Sequence, residues 1–209
     1  MMRIESLKTT ADRAGRYWLT TDSGERLGLY RQTVEDFGLY AGLELTDEQW
    51  QQLVSAAGAT SAKMRAVRIF AASAVSRKDL QQRLVQKGED PEQAAQAVAW
   101  MEEMHLLDDA ETARQIVSRC AARGYGLQRA KQALYEKRIP KKYWDMALAD
   151  YPDQSETISA FLRSHLDTNP DRKAVKRAVD ALLRRGHTYS EIRSAMERLS
   201  LEAEEFPEE

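Results

Sequence analysis

The spacing of apolar positions changes character part-way along the chain. Near the N-terminus, Arg16-Tyr-Trp-Leu-Thr-Thr21 and Glu25-Arg-Leu-Gly-Leu-Tyr30 are short runs rich in aromatic, Thr and Leu residues, and Asp22-Ser-Gly24 lies between them. Such runs around a Ser-Gly turn predict a β-hairpin. Met2 to Thr9 alternates weakly and supplies a candidate third strand. After Tyr30 the pattern turns helical through Phe37, and Gly38 is the expected stop because the residue past a helix end often needs positive φ. Thr46-Asp-Glu-Gln49 has the form of a capping box. The helix it opens is expected to carry Trp50, Leu53 and Val54 on one face, with a boundary at Gly58-Ala-Thr-Ser61.

From Ala62 onward the strand signal is gone and helix starts recur. Ser76-Arg-Lys-Asp79 offers a capping Ser with an acid in the first turn. Asp90-Pro91 and Asn169-Pro170 each place a cap residue before a proline suited to the first helical position. Thr188-Tyr-Ser-Glu191 is a second capping box. The starts have a period. Leu80, Leu84 and Lys87-Gly88 are matched by Ala130, Leu134 and Lys137-Arg138, then by Ala178, Leu182 and Arg185-Gly186. In the helices that follow, Ala94, Ala97, Val98 and Met101 correspond to Trp144, Ala147, Leu148 and Tyr151, then to Ile192, Ala195, Met196 and Leu199, always at the spacing of one helix face. A further helix precedes each marker, over 65–74, 110–123 and 155–166.

This pattern predicts a mainly α protein: three tandem three-helix repeats in an elongated curved array, preceded by a small N-terminal β-hairpin or three-stranded segment with one or two helices. The expected boundaries are an α+β extension over 1–60, repeats over 62–108, 109–152 and 153–203, and an acidic tail over 204–209.

Composition narrows the class. Ten Gly and five Pro in 209 residues exclude collagen-like and Pro/Gly-rich chains, and 43% apolar residues suffice for cores. One Cys excludes an intrachain disulfide framework. No apolar run approaches the ~20 residues of a membrane helix, and Met1–Thr10 has no signal-peptide pattern. A cytoplasmic, non-membrane monomer is the expectation. The net charge of −2 conceals an asymmetry: the balance is −3 over 1–60, +4 over 61–150 and −3 over 151–209. Arg119, Arg123, Arg129, Lys131, Lys137, Arg138, Lys141 and Lys142 stand against the single Glu136, a stretch suited to phosphates or an acidic protein surface. Arg172, Lys173, Lys176, Arg177, Arg184 and Arg185 form a smaller cluster. Tyr125 and Tyr143, inside the first stretch, are candidates for stacking on bases.

No catalytic or metal site and no cofactor is expected. His105, His165 and His187 are isolated near turns, and no His or Cys has metal-ligand spacing to another. Cys120 reads as a buried small apolar group, and Gly124-Tyr-Gly126 as a helix-joining turn. In Leu106-Leu-Asp-Asp109 the leucines are expected to close the first repeat's core while one Asp caps the next helix. Trp100 and Trp144 read as core.

Ser76-Arg-Lys-x-Leu80-x3-Leu84-x2-Lys-Gly88, Leu106-Leu-Asp-Asp109, Ala113-Arg114, Arg119 through Arg123-Gly-Tyr-Gly126, Leu134-x2-Lys137 and Ile139-Pro140 together resemble the RecX family of regulatory proteins. Gly38-Leu-x2-Gly42-x2-Leu45 resembles the family's variants with an N-terminal extension. Two departures stand out: Thr112 where the family has Phe or Tyr, and Lys137-Arg138 where glycine is usual. The resemblance implies a protein of tandem three-helix repeats that lodges in the groove of the RecA–single-stranded DNA filament and modulates, in most members inhibits, its ATPase, strand-exchange and coprotease activities. The two basic clusters above are then the candidate RecA- or DNA-contacting residues, with Arg123 and Arg129 as the leading pair because arginine fits phosphate or carboxylate through two bonds. Two other classes stay open. A free-standing DNA-binding module would bind duplex without RecA and with a steep salt slope. A protein adaptor would hold a partner through nuclease treatment.

Overall fold

The computed structural model describes residues 1–10, 15–167 and 170–199, in two compact units, Met1–Leu107 and Asp108–Glu209. The first unit opens with a four-stranded antiparallel sheet, ordered β3-β2-β1-β4. Its strands are β1 (Met2–Thr9), β2 (Arg16–Thr21), β3 (Arg26–Tyr30) and β4 (Glu44–Leu45). The hairpin and β1 match expectation. The fourth strand does not, because two residues are too short for alternation to show. β4 joins the free edge of β1 by pairing Leu45 with Met2 and Glu44 with Arg3, and the lead-in extends the contact through backbone bonds from Ile4 N–H to the Leu43 carbonyl and from Gly42 N–H to the Ile4 carbonyl. Ile4, Leu19, Leu29 and Leu45 form a core with Leu53 and Ala57.

α1 (Arg31–Asp36) ends before Gly38, whose φ is +56°. α2 (Asp47–Ala72) starts at the expected box, in which Thr46 accepts from Gln49 N–H and the Gln49 side chain accepts from Thr46 N–H. Two expectations fail on α2. The helix runs unbroken through Gly58–Ser61. Gly58 weakens helix propensity by about 1 kcal/mol but gives the Gln93 side chain its place against the helix. Leu53 is buried and Trp50 half-buried, whereas Val54 is 40% exposed. Farther along α2, Ala62 and Ala66 pack with Leu80 and Leu84 of α3 (Arg77–Gln86) and with Ala94, Ala97, Val98 and Met101 of α4 (Pro91–Glu103). Ser76 and Asp90 cap α3 and α4 as expected. Only Leu107 closes this core; Leu106 is exposed.

The second unit holds two helix trios. α5 (Asp109–Ala122), α6 (Leu127–Glu136), a 3-10 turn (Lys141–Tyr143) and α7 (Trp144–Leu148) surround Ala113, Ile116, Val117, Leu134 and Ile139. Asp108 caps α5. α8 (Ser155–His165), α9 (Arg172–Arg184) and α10 (Tyr189–Arg198) surround Ile158, Leu162, Leu182, Ile192 and Met196. Thr188 and Glu191 form the expected box on α10. On α9, however, Asp171 is the cap and Arg172 the first helical residue, so Pro170 precedes the helix; Asn169 lies outside the described residues. The acidic 204–209 segment also lies outside them.

The repeat register shows in the backbone. The helix-ending residues Lys87, Lys137 and Arg185 are each followed by a residue at positive φ: Gly88 at +89°, Arg138 at +53° and Gly186 at +87°. The next N–H, of Glu89, Ile139 or His187, then donates to the carbonyl of Leu84, Leu134 or Leu182. Each turn therefore closes with the same six-to-one bond onto a carbonyl of the helix's last turn. The middle trio departs in its third helix. α7 has five residues, and Trp144, Ala147, Leu148 and Tyr151 pack on the core while only half-buried.

Candidate functional site

Most of the basic residues sit on the elements of the second unit. Arg119 lies in the last turn of α5 and Arg123 is its C-terminal cap; both are exposed, one helical turn apart on a shared face. Arg119 Nε donates to the Gln115 carbonyl. Neither makes an ion pair with a carboxylate among the described residues. Arg129, on α6, is committed instead: its guanidinium donates to Glu136 at 3.0 Å. That bond and one from Gln132 hold the Glu136 carboxyl below the usual carboxylate range. Arg119, Arg123 and Arg129 all lie close enough to Cys120 for their charges to favour its thiolate. Burial outweighs them and pushes the thiol up, so Cys120 stays protonated and packs as an apolar group.

Lys131, Lys137 and Arg138 are half-buried on α6 and its end, whereas Lys141 and Lys142 are exposed in the 3-10 turn. Lys142 Nζ lies 4.8 Å from the Tyr143 ring centre. On α9, Arg172, Lys173, Lys176 and Arg177 are exposed at spacings that make one stripe. Arg184 and Arg185 are exposed beyond it, and the Arg185 guanidinium stacks 4.7 Å over Phe161.

Two turns bring the clusters together. Gly126 N–H donates to the Arg185 carbonyl at 2.9 Å, Gln128 N–H to the Gly186 carbonyl at 3.3 Å, and His187 Nε2–H to the Gly124 carbonyl at 3.1 Å. Gly124-Tyr-Gly126 is thus the expected turn from α5 to α6, and it is docked against the turn from α9 to α10. Arg123 and Arg129 flank the first turn, and Arg184 and Arg185 lead into the second. Lys141 and Lys142 follow the opposite end of α6, about 15 Å of helix away.

The aromatic neighbours differ from those singled out in the sequence. Tyr125 is half-buried, and Tyr143 packs on the α5–α7 core. Tyr135 is the exposed one, at 68%. Its position was readable: it follows the buried Leu134 and lies off the face that Ala130 and Leu134 define. Trp100 and Trp144 are half-buried against cores, and Trp144 Nε1–H donates to the Ile139 carbonyl. Among the described residues no three His, Cys, Asp or Glu side chains gather as a metal site. His105 is exposed at a helix end with φ +55°, and His165 stacks on Phe161. Among the described residues no helix is long and apolar enough to cross a membrane.

A relative from Chlorobaculum tepidum described as regulatory protein RecX is 31% identical over 141 residues, 66% of this chain and 87% of the relative. This chain belongs to the RecX family of regulatory proteins. The RecX of Cronobacter sakazakii is 36% identical over 96 residues, and the match covers 41% of this chain and 58% of that protein. The RecX of Streptococcus gordonii, 21% identical, is matched over 92% of this chain and 76% of its own. No family model matches. In fold, the chain is similar to a crystal structure titled regulatory protein RecX, with a TM-score of 0.57 and 19% identity over 96% of this chain and 99% of the other. A second RecX structure, from Lactobacillus salivarius, gives a TM-score of 0.56 at 19% identity, over 69% and 98%. Arg138 holds the left-handed conformation that glycine adopts at the two equivalent turns, Gly88 and Gly186.

Proposed function

We propose that this protein binds the RecA–single-stranded DNA filament in the cytoplasm and inhibits its ATPase, strand-exchange and coprotease activities. Membership of the RecX family supports the RecA assignment. The observation that carries the mode of binding is the junction of the second unit. There, the exposed Arg119 and Arg123 stand beside the turn that meets Arg184 and Arg185. An arginine fits a phosphate or carboxylate through two parallel bonds, so this group suits either the DNA backbone or an acidic face of the filament. The α9 stripe of Lys173, Lys176 and Arg177 extends the same charge. The test is RecA-dependent ATP hydrolysis on single-stranded DNA with increasing amounts of this protein. A dose-dependent fall supports the reading, and unchanged hydrolysis at saturating protein rejects it.

A further inference from the structure

The outer face of the N-terminal sheet carries an arrangement that the basic stretch does not use. Trp18, on β2, is 53% exposed although it sits in the middle strand of the β1–β2–β3 group. Register explains its surroundings. Lys8 stands directly opposite it on β1 and Gly28 directly opposite on β3; the next row holds Ser6, Thr20 and Arg26. Alternation sends Leu19, Leu27 and Leu29 to the core and this set to the outside. The six-membered ring of Trp18 lies against Gly28, where a Cβ would already be in contact at 3.4 Å. One side of the indole is therefore supported by backbone, and what remains is open. An open hollow of 690 Å³ runs beside it, lined by Lys8, Trp18, Thr20 and Arg26 and also by the acid Glu5. Lys8 and Arg26 are exposed and form no ion pair among the described residues.

A supported, exposed indole between unpaired cations matches the chemistry of unstacked bases on a charged backbone: the ring accepts a base face and the cations meet the flanking phosphates. We propose that this sheet face is a stacking platform for single-stranded nucleic acid, with Trp18 carrying a base and Lys8 and Arg26 its phosphates. The site lies in the first unit and needs no RecA, so it stands or falls separately from the function proposed above.

The test uses the full chain and fluorescence anisotropy of a labelled oligothymidylate, an oligouridylate and an abasic strand of equal length, without RecA. The wild type should prefer a base-bearing strand over the abasic one by about tenfold. Trp18→Ala should abolish that preference, and Trp18→Phe should keep most of it. Lys8→Glu with Arg26→Glu should weaken all three strands and flatten the salt dependence. A preference for thymidylate identifies DNA as the source of the base, a preference for uridylate RNA, and either supports the platform. Because Trp18→Ala uncovers Gly28, photocrosslinking of an iodouracil-bearing strand to the wild type gives a second reading, with the adduct expected in the Arg16–Thr21 peptide. Equal affinity of the wild type for base-bearing and abasic strands overturns the proposal. So does a folded Trp18→Ala variant that binds like the wild type, as it would if Trp18 only covered Gly28 or met a protein, or an adduct confined to the second unit.

Discussion

Gly126 and Gly186 meet with no space for a side chain between them. A Cβ on Gly126 would run into the Gly186 carbonyl, and one on Gly186 would run into the backbone of Arg129. Two helix turns can therefore dock through their main chains, and the bonds from Gly126 and Gln128 follow from that closeness.

Substituting Gly186 should be costlier than substituting its repeat-equivalent Gly88. Both hold φ near +90°, so alanine at either place pays the left-handed cost of about 1–2 kcal/mol. Gly88 has open space where its Cβ would go, whereas Gly186 does not. Urea denaturation of Gly88→Ala and Gly186→Ala should show the larger loss for Gly186→Ala. Equal losses would mean that the turns do not dock.

Leu134→Ala should destabilise the second unit by about 2–5 kcal/mol, because Leu134 is fully buried in the α5–α7 core. Trp144→Ala should cost less, about 1–3 kcal/mol, since Trp144 is only half-buried and its loss frees the Ile139 carbonyl to water. Denaturation midpoints rank the two.

His187 makes the docked turns sensitive to acid. Its Nε2–H is spent on Gly124, so its buried Nδ1 has no partner, and a second proton would find no acceptor there. Burial lowers its pKa below 6.5; the Gly124 bond and Glu191 on α10 oppose that, and Arg185 adds to it. With the folded pKa depressed, the unfolded chain takes up the proton first. Stability should therefore hold above about pH 6.5, fall as pH drops below it, and level off once the folded pKa is passed. The pH slope in this window should shrink in His187→Gln when wild-type and variant unfolding are compared across it.

Reversing Arg119 and Arg123 to Glu should weaken RecA inhibition with only a small fall in melting temperature: both are exposed and neither pairs with a carboxylate among the described residues, though acids at the C-terminal end of α5 oppose its dipole. Arg129 is a poorer choice, since its reversal would set two acids against each other across the Glu136 contact. Inhibition measured at several salt concentrations should show a shallower dependence in the double variant. Unchanged inhibition in a folded double variant would remove these arginines from the interface.

What the sequence made legible was local. Caps at Thr46, Ser76, Asp90 and Thr188 were readable because a short side chain three residues before a matching donor is a complete physical statement. The periodic cores were readable for the same reason. Other features escaped. The unbroken α2 did, because Gly58 looks like a break until Gln93 is seen beside it. The truncated α7 did, because apolar spacing fixes a face and not a length. The commitment of Arg129 to Glu136, seven residues away, was also hidden within a run of cations. The exposure of Trp18 depended on strand register, which the hairpin turn alone did not fix.

The three repeats close their second helix with the same turn, yet the residue each turn buries differs: Glu89, Ile139 and His187. Glu89 is met by Ser61 and Arg65, and His187 by the Gly124 carbonyl. Ile139 needs only apolar neighbours. One backbone socket has thus been fitted with an acid, a hydrocarbon and an imidazole, each with its own complement. Exchanging these residues between turns would bury a carboxylate without its arginine or a hydrocarbon against an unsatisfied carbonyl. The repeats share a shape but are not interchangeable, and their order along the chain is fixed by the chemistry each turn hides.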